Sequence, residues 1–344
     1  MSTRYSELVH WMSIQDKKYF IPAGADIDLT NICNQDCVYC STADFRKTHP
    51  IQLDHLAYIK LIDQLSTWRT YEPNSIGTFS TVVFSGGGEP TLLKSYEKVI
   101  EHTVDVGLLP ALITNASHLH KLIENVDFNK IQKILYIGID IDAGAKDLYE
   151  QIRRSKPING LFDQVVDNIF NIAKISNNVD LKVVLSDKNC ADDALHDIFS
   201  LVKRTAVRQV YFRPLYNALT HYVFPINNYI QKLEQLGQQY NVRVKINSSR
   251  FLKRNYSKCH QMYLFPVFCP DGKIYACCEN KGNPSFAIGD WLGQDFRDSW
   301  LSQRQHDVYN DINTNFCHPC RSNNHNIEIQ NVIDNPELLE RLLM

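Results

Sequence analysis

Apolar and polar residues follow two rhythms along the chain, short β-like runs and longer amphipathic runs of helical period. The predicted strands are Asp26–Leu29, Thr81–Phe84, Ala111–Thr114, Ile134–Ile139, Leu181–Leu185 and Gln209–Phe212. The predicted helices are His55–Leu65, Leu93–Val106, Ala145–Ile152, Phe162–Ile175 and Asp193–Lys203. A strand followed by a helix, repeated about six times, predicts an α/β fold with a parallel sheet.

Six units are too few for a closed eight-unit barrel, so we expect a partial (β/α)6 TIM-like barrel over residues 25–247. From about Phe251 the pattern changes to short runs, aromatic residues and cysteines, which predicts a small cysteine-rich domain over 248–325. An N-terminal extension (1–24) and a tail (326–344) complete the organisation, and Pro336–Leu343 suits a short surface helix. In parallel sheets the chemistry lies at the carboxyl ends of the strands.

Composition narrows the class of protein. The chain has 344 residues, 44% hydrophobic and 22% charged, which is typical of folded domains. Its formal net charge of −2 argues against a nucleic-acid-binding surface. No apolar run reaches about 18 residues, so a membrane partner is not expected. The N-terminus lacks an apolar signal core, so the expected compartment is the cytoplasm.

Ten cysteines fall mostly into two groups, the first being Cys33, Cys37 and Cys40 in the loop after the first strand. Thiols stay reduced in the cytoplasm, so close spacing indicates metal or cluster ligands rather than disulfides. Three thiolates on one loop can hold three irons of a cubane cluster and leave the fourth open. A zinc knuckle completed by a distant His is the alternative.

The cysteine loop and a glycine-rich turn together resemble the radical S-adenosylmethionine (SAM) enzymes. The C-x3-C-x2-C spacing resembles the family signature, and the segment Phe84–Pro90 (FSGGGEP) resembles its Gly-Gly-Glu motif in sequence and order. The resemblance covers roughly residues 25–215. It implies a 4Fe–4S cluster, SAM at the open iron, and reductive cleavage of SAM to a 5′-deoxyadenosyl radical that abstracts a substrate hydrogen.

The resemblance also implies a set of cofactor-binding residues: Tyr39, Gly87, Gly88, Glu89, Asn115, Asp140 and Arg153. Tyr39 would pack on the adenine face, and the glycine turn would meet the methionyl group. Asp140 lies where family members often carry Ser, in the segment that meets the ribose and carboxylate. Arg154 is as good a match as its neighbour Arg153.

The second cysteine group resembles the opening of a SPASM domain, with C-x12-G-x4-C from Cys259 and a later C-x2-C pair. Since no cysteine follows Cys320, the shortened twitch form is the closer match. This implies a second, auxiliary 4Fe–4S cluster. Its ligands would be Cys259, Cys277, Cys317 and Cys320. A structural zinc ion suits the same spacing. We expect Cys269 to be a buried thiol and Cys278, which adjoins Cys277, to be a substitute cluster ligand.

Cys190, just past the fifth strand, is expected near the barrel mouth, where a thiol could donate a hydrogen atom to a substrate radical. A small buried thiol is the favoured interpretation of this lone cysteine. Asp187 and Arg213, near strand ends, are candidate substrate contacts.

The resemblance implies oxidation (dehydrogenation or bond formation) of a small sugar- or nucleoside-like metabolite, with the auxiliary cluster as electron acceptor. About 25 residues precede the first strand, too few for a leader-peptide recognition domain, so a small molecule is favoured over a peptide. A peptide-modifying epimerase or crosslink former and a non-catalytic iron–sulfur or zinc protein are the alternatives. The expected partner is an electron donor such as flavodoxin or ferredoxin.

Overall fold

The computed structural model describes residues 3–13, 19–154, 160–217, 222–247, 252–317, 319–335 and 337. The helices are α1 (Thr3–Ser13), α2 (Ala43–Thr48), α3 (His55–Ser66), α4 (Trp68–Tyr71), α5 (Tyr96–Asp105), α6 (His120–Asn125), α7 (Phe128–Gln132), α8 (Lys146–Arg153), α9 (Leu161–Ile175), α10 (Asp192–Arg204), α11 (Ile230–Tyr240), α12 (Gln303–Asp311) and α13 (Asn323–Asp334). None of these described helices has the length and apolar character needed to cross a membrane.

Twelve strands lie in the described part of the chain, and ten of them build one large sheet. They are β1 (Gly24–Asp28), β2 (Thr81–Ser85), β3 (Leu109–Thr114), β4 (Tyr136–Asp140), β5 (Val179–Leu185), β6 (Gln209–Pro214), β7 (Tyr216–Asn217), β8 (Tyr222–Val223), β9 (Arg243–Ile246), β10 (Val267–Phe268), β11 (Lys273–Tyr275) and β12 (Ala287–Asp290). The order is β12-β11-β10-β1-β2-β3-β4-β5-β6-β9, and β7 pairs with β8 in a separate hairpin.

Strands β1 to β6 run parallel in chain order, which confirms the predicted partial α/β barrel. All six predicted strands are present, with ends within two residues of the prediction. The alternation that revealed them has a physical cause. Along β5, Leu181 and Val183 are buried, while the alternate residues Lys182 and Val184 line a cavity inside the barrel. Helix α10 packs its apolar stripe on the sheet, with Ile198 and Val202 buried.

The sheet has a further parallel strand that the sequence did not predict. Strand β9 pairs with β6, and helix α11 leads into it. Its outward residues Arg243 and Lys245 are exposed, as suits an edge strand. Polar and apolar residues alternate along β9, but over only four residues, so the run carries a weak strand signal.

The cysteine-rich segment continues the barrel sheet, because β10 pairs in parallel with β1. Strands β11 and β12 then extend the sheet in antiparallel fashion. The predicted boundary at residue 248 lies outside the described residues, which resume at 252. The predicted helix Pro336–Leu343 also lies outside them, except for Glu337. Helix α1, in the predicted N-terminal extension, packs against α13.

Candidate active site

The loop between β1 and α2 carries the first cysteine group at the carboxyl edge of the sheet. Its backbone is held to α8 by hydrogen bonds from Val38 N to Ile152 O (3.0 Å) and from Asp36 N to Arg153 O (3.2 Å). The side chain of Gln35 donates to the hydroxyl of Tyr149 (2.7 Å). The thiols of this loop line one cavity of about 350 Å³; they are Cys33, Cys37 and Cys40.

These thiols lie in a partly buried, polar setting. Burial, followed by the nearby charge of Glu89, raises the pKa of Cys33 to about 12. Burial also raises the pKa of Cys37, although Arg153 opposes the shift and its Nη1 lies 3.7 Å from the sulfur. Without a metal, the raised pKa values keep the thiols of Cys33 and Cys37 protonated at neutral pH. Metal binding must therefore release their protons.

The glycine turn after β2 packs directly on the cysteine loop. Gly88 N donates to Thr30 O at 2.9 Å. A Cβ at Gly88 would lie 2.1 Å from Ile32 O, and one at Gly87 would lie 2.5 Å from Asn31 Oδ1. The atoms near Gly88 belong to the backbone, so the close approach of the two loops requires glycine at that position, whereas a Cβ at Gly87 would meet only the movable end of the Asn31 side chain.

Glu89 lines the cavity, but the residue is only 3% exposed and its carboxylate is hydrogen-bonded to other protein groups. Oε1 accepts from the backbone N–H of Thr91 (3.1 Å) and from the hydroxyls of Thr91 and Thr114 (2.6 Å each). Oε2 accepts from Asn115 N (2.7 Å). Burial raises the pKa of Glu89 and these hydrogen bonds oppose that shift. Glu89 thus connects the glycine turn to the end of β3.

Asn115 and Tyr39 also lie on the cavity wall. The side chain of Asn115 donates to Asn34 Oδ1 in the cysteine loop (2.9 Å). The hydroxyl of Tyr39 pairs with Ser186 Oγ at 2.7 Å, and burial raises the pKa of Tyr39 to about 12. Both side chains are therefore held in place by protein contacts beside the thiols.

The structure distinguishes the two adjacent arginines at the end of α8. Arg153 is buried, lines the cavity and forms an ion pair with Asp142 at 2.9 Å. Burial alone would lower the pKa of Arg153, but Asp142 and Cys37 outweigh it and raise the pKa. Arg154 is exposed and ends the helix in a left-handed conformation. Arg153 is thus the arginine that faces the thiols.

Charged side chains from β4 to β6 form the opposite wall of the cavity. Asp140 Oδ1 lies 3.7 Å from Lys182 Nζ and 3.9 Å from a terminal nitrogen of Arg213. Burial opposes ionisation of Asp140, but Lys182 and Arg213 outweigh it and lower the pKa of Asp140. Arg213 thus lies where a substrate contact was expected. Asp187 is not among the lining residues in the described part of the chain.

The cysteine-rich segment contributes four residues to the same cavity: Cys278, Glu279, Lys281 and Arg321. Lys281 pairs with the fully buried Asp28 at 2.5 Å, and Arg321 pairs with the buried Asp26. The sequence prediction missed these contributions. One feature of the sequence could have indicated them: Asp26 and Asp28 alternate with apolar residues in a buried strand, and buried carboxylates need cationic partners.

The second cysteine group lines a separate small cavity. The four thiols that face it are Cys259, Cys277, Cys317 and Cys320. They converge from three chain segments, and burial together with the neighbouring Cys320 and Cys317 raises the pKa of Cys259 to about 12. Arg254 donates to Cys317 O at 3.1 Å and so ties this loop to the start of the segment. Adjacent residues Cys277 and Cys278 therefore face different cavities.

The remaining cysteines lie apart from both ligand groups. Cys190 follows β5 but is not among the described residues that line the main cavity; it is hydrogen-bonded to Tyr229. The hydrogen-donor role of Cys190 stays a prediction. Cys269 is fully buried, as expected, with its sulfur 3.7 Å from Asp28 Oδ2.

A larger cavity, of about 1020 Å³, opens at the opposite edge of the sheet. It is lined by residues at the amino ends of the strands, including Tyr136, Val179 and Gln209. No cysteine of the described residues lines it. Because functional groups of parallel sheets gather at the carboxyl ends, the smaller cavity is the candidate active site.

The donor sets suit iron–sulfur clusters, which are held by cysteine thiolates. Three thiols share one cavity and four share the other. Among the described residues, no three His, Cys, Asp or Glu side chains are arranged to hold a single metal ion. The three thiols of the main cavity fit a cluster with one open iron. Four thiolates, as in the second cavity, are the donor set both of a closed cluster and of a structural zinc ion.

Comparison with known proteins gives a family match over part of the chain. Residues 27–192 match the sequence model of the radical SAM superfamily. The GTP 3′,8-cyclase of Clostridium botulinum (strain Okra / Type B1) is 24% identical over 196 residues, 55% of this chain and 56% of that protein. The PqqA peptide cyclase of Bradyrhizobium diazoefficiens is 33% identical over 98 residues, 28% of this chain and 23% of that protein. The chain thus spans about half, or less, of the length of these curated relatives.

A solved structure shares the fold over most of the chain. Streptococcus suis SuiB bound to S-adenosylmethionine superposes with a TM-score of 0.60 at 12% identity, covering 84% of this chain and 68% of that one. SuiB bound to its precursor peptide SuiA gives a TM-score of 0.59. At this identity the likeness establishes a shared fold.

Proposed function

We propose, from the premise that residues 27–192 form a radical SAM domain, that this chain reductively cleaves SAM and abstracts a hydrogen atom from a substrate. One observation carries the proposal. The three thiols of the cysteine loop share a single cavity with the glycine turn and Arg153. A site for a cluster with one open iron therefore lies beside the glycine turn and Arg153, two groups suited to bind the methionyl part of SAM.

The chain's own residues would bind and orient the cofactors. Cys33, Cys37 and Cys40 would hold three irons of a 4Fe–4S cluster. When bound, the cluster and SAM supply the electron and the 5′-deoxyadenosyl radical. Arg153 would bind the methionyl carboxylate, since its guanidinium lies beside the thiol of Cys37.

The other cavity residues would position the rest of SAM. The turn of Gly87, Gly88 and Glu89 would bind the methionyl ammonium through backbone carbonyl oxygens, which accept hydrogen bonds. Tyr39 would present its ring to the adenine, and Asp140 and Asn115 would contact the nucleoside. Because Asp140 is held ionised by Lys182 and Arg213, it would act only as a hydrogen-bond acceptor.

We assign the second cavity to an auxiliary 4Fe–4S cluster in a twitch-type segment. Its ligands would be Cys259, Cys277, Cys317 and Cys320. Such a cluster would accept the second electron of a dehydrogenation or bond formation. Cys278 adjoins a ligand and lines the main cavity, which supports a short path between the two sites.

The proposed substrate is a small sugar- or nucleoside-like metabolite. Polar and charged side chains from β4, β5 and β6 line the cavity, including Asp140, Lys182 and Arg213, which suits a polar metabolite. An electron donor such as flavodoxin or ferredoxin would serve the first cluster in the cytoplasm. Modification of a ribosomally made peptide is the second candidate, favoured by the partial identity to PqqA peptide cyclase and the SuiB-like fold.

The first test is iron and sulfide quantitation after anaerobic reconstitution, with EPR of the reduced protein with and without SAM. We expect about eight irons, and a shift of part of the signal when SAM is added. Cys37→Ala should lose about half of the iron and all formation of 5′-deoxyadenosine. Cys190→Ala serves as the matched cysteine control for iron content, since that thiol lies outside both cavities.

The auxiliary site has its own readout. Cys317→Ala should lower the iron count by about four while the SAM-dependent shift in the EPR signal remains. An unchanged iron count in this variant would refute the auxiliary assignment. Zinc in place of iron in both sites would refute the enzyme assignment altogether and favour a non-catalytic zinc protein.

A further inference from the structure

The inner face of strands β4 to β6 carries charge where a barrel ordinarily carries aliphatic side chains. Asp140, Lys182 and Arg213 all line the main cavity, and they alternate with buried apolar residues of the same strands. Strand pairing aligns Asp140 with Lys182, and it aligns Arg213 with Val184, two residues further along β5.

Six cations of the described residues line this cavity, and three of them have a buried carboxylate of their own. Arg153 pairs with Asp142, and Lys281 pairs with Asp28. Arg321 pairs with Asp26, and its other electrostatic neighbours include Glu279. A fourth, Arg46, lies 3.9 Å from the exposed carboxylate of Asp36.

Lys182 and Arg213 differ from these cations because they share a single carboxylate, Asp140. Its Oδ1 lies 3.7 Å from Lys182 Nζ and 3.9 Å from Arg213, beyond hydrogen-bond distance. Arg213 Nε is buried and has no hydrogen-bond partner among the described residues. This wall therefore has one positive charge in excess and donors that remain unused.

The position of Lys182 is set by its surroundings. Its side chain is 14% exposed, and a Cβ on Gly138 of the neighbouring strand would lie 2.8 Å from Lys182 Cδ. Gly138 thus leaves room for the stem of the lysine. Burial, and then the positive charges of Arg213 and Arg321, disfavour the charged form and lower the pKa of Lys182, although Asp140 opposes the shift. An anion bound here would relieve that repulsion.

We propose that Lys182 and Arg213 bind an oxyanionic group of the substrate, a phosphate or a carboxylate, on the β5–β6 wall of the cavity. The inference rests on the proposed function, because it names the substrate class of the same site. A planar guanidinium and an ammonium that both lie within 4 Å of Asp140 Oδ1 suit an oxyanion, which accepts charge-assisted hydrogen bonds from both. The substrate would be a metabolite carrying that group, with its reacting carbon turned toward the thiols.

The test measures anion binding to the reconstituted full chain by thermal shift, with sodium phosphate and sodium acetate as separate probes. Sodium chloride at equal ionic strength corrects for screening. We expect one probe to stabilise the wild type, and Lys182→Met and Arg213→Met to weaken its binding by about tenfold or more. Which probe binds decides between phosphate and carboxylate.

Two matched variants control for the loss of a positive charge. Lys245→Met and Arg208→Met remove exposed cations of β9 and of the residue preceding β6. Both should bind the anion like the wild type. Equal binding in all four variants, or no binding of either probe to the wild type, would overturn the proposal.

A further arm separates the substrate from the cofactor, since SAM carries a carboxylate itself. The anion shift should persist when the wild type is saturated with SAM. If SAM abolishes it, the two cations belong to the cofactor site and the proposal fails. Formation of 5′-deoxyadenosine by the wild type tests the proposed function separately, because that measurement does not depend on the anion shift.

Discussion

The ion pair of Arg153 and Asp142 shows how single residues organise this site. Asp142 has a left-handed backbone (φ 59°) and accepts a hydrogen bond from Val184 N at 2.7 Å. This fixes its carboxylate at the carboxyl end of β5. Arg153 then bridges from Asp142 to the cysteine loop, with Nη1 3.7 Å from Cys37 Sγ. Two buried charges thus connect the sheet to the cysteine loop.

The adjacent arginines allow a matched test at this scale. Arg153→Met should lower the free energy of unfolding by about 3–5 kcal/mol, because it leaves the carboxylate of Asp142 buried without its partner. Arg154→Met, at an exposed position, should change it by less than about 0.5 kcal/mol. Urea unfolding of the two variants measures both values. Equal effects would contradict the assignment of Arg153 as the site arginine.

At the scale of elements, the cysteine loop and the glycine turn act as one unit. Gly88 N donates to Thr30 O and Glu89 N donates to Ile32 O, each at 2.9 Å. Asn34 and Asn115 join the loop to the end of β3. The geometry of the thiols therefore depends on the turn, although more than forty residues separate the two in sequence.

Gly88→Ala should disrupt this unit. The added Cβ would lie 2.1 Å from Ile32 O, a backbone atom that cannot move aside alone. We expect the variant to lose most of the iron of the first cluster after reconstitution. Gly86→Ala is the milder comparison, because its Cβ would lie 3.0 Å from the nearest atom. Iron quantitation compares them; full iron loading in Gly88→Ala would contradict the role of close packing.

At the scale of the whole molecule, Asp28 joins the barrel to the cysteine-rich segment. It is fully buried, and its Oδ2 accepts from Gly87 N at 2.9 Å and from Lys281 Nζ at 2.5 Å. The same segment continues the sheet through β10. The second cavity and the main cavity are therefore parts of one packed structure.

Lys281→Met tests this connection. The variant leaves Asp28 without its cation, so the free energy of unfolding should fall by about 3–5 kcal/mol. Burial opposes the charge of Lys281, but Asp28 outweighs it and raises the pKa. The ion pair of Lys281 and Asp28 thus stabilises the fold at neutral pH, and this stabilisation is lost only as the pH rises through the raised pKa of Lys281.

Lys273→Met is the matched control, because its pair with Asp290 is half exposed and should contribute only about 0–1 kcal/mol. Urea unfolding at neutral pH compares the two lysine variants. A loss in Lys281→Met no larger than in the control would show that the two regions are held together without this ion pair.

The sequence alone determined the barrel and the thiols. Strand and helix periods depend on nearest neighbours along the chain, so β1 to β6 could be predicted with errors of two residues at their ends. The first cysteine group could be recognised by spacing, since its three thiols lie on one loop, whereas the second group is brought together from three chain segments. Edge strand β9 was missed because its polar–apolar alternation extends over only four residues.

Only the tertiary structure decided which charges face the cavity. Arg153 and Arg154 are equivalent in the sequence pattern, but α8 ends at Arg153 and the backbone turns left-handed at Arg154, so the first is buried and the second exposed. Lys281 and Arg321 enter the site from a segment more than 250 residues from their carboxylate partners in β1. Burying such a charge costs desolvation energy, which is offset only when its partner is buried beside it. Whether the partners meet depends on how the strands pair and not on any local sequence pattern.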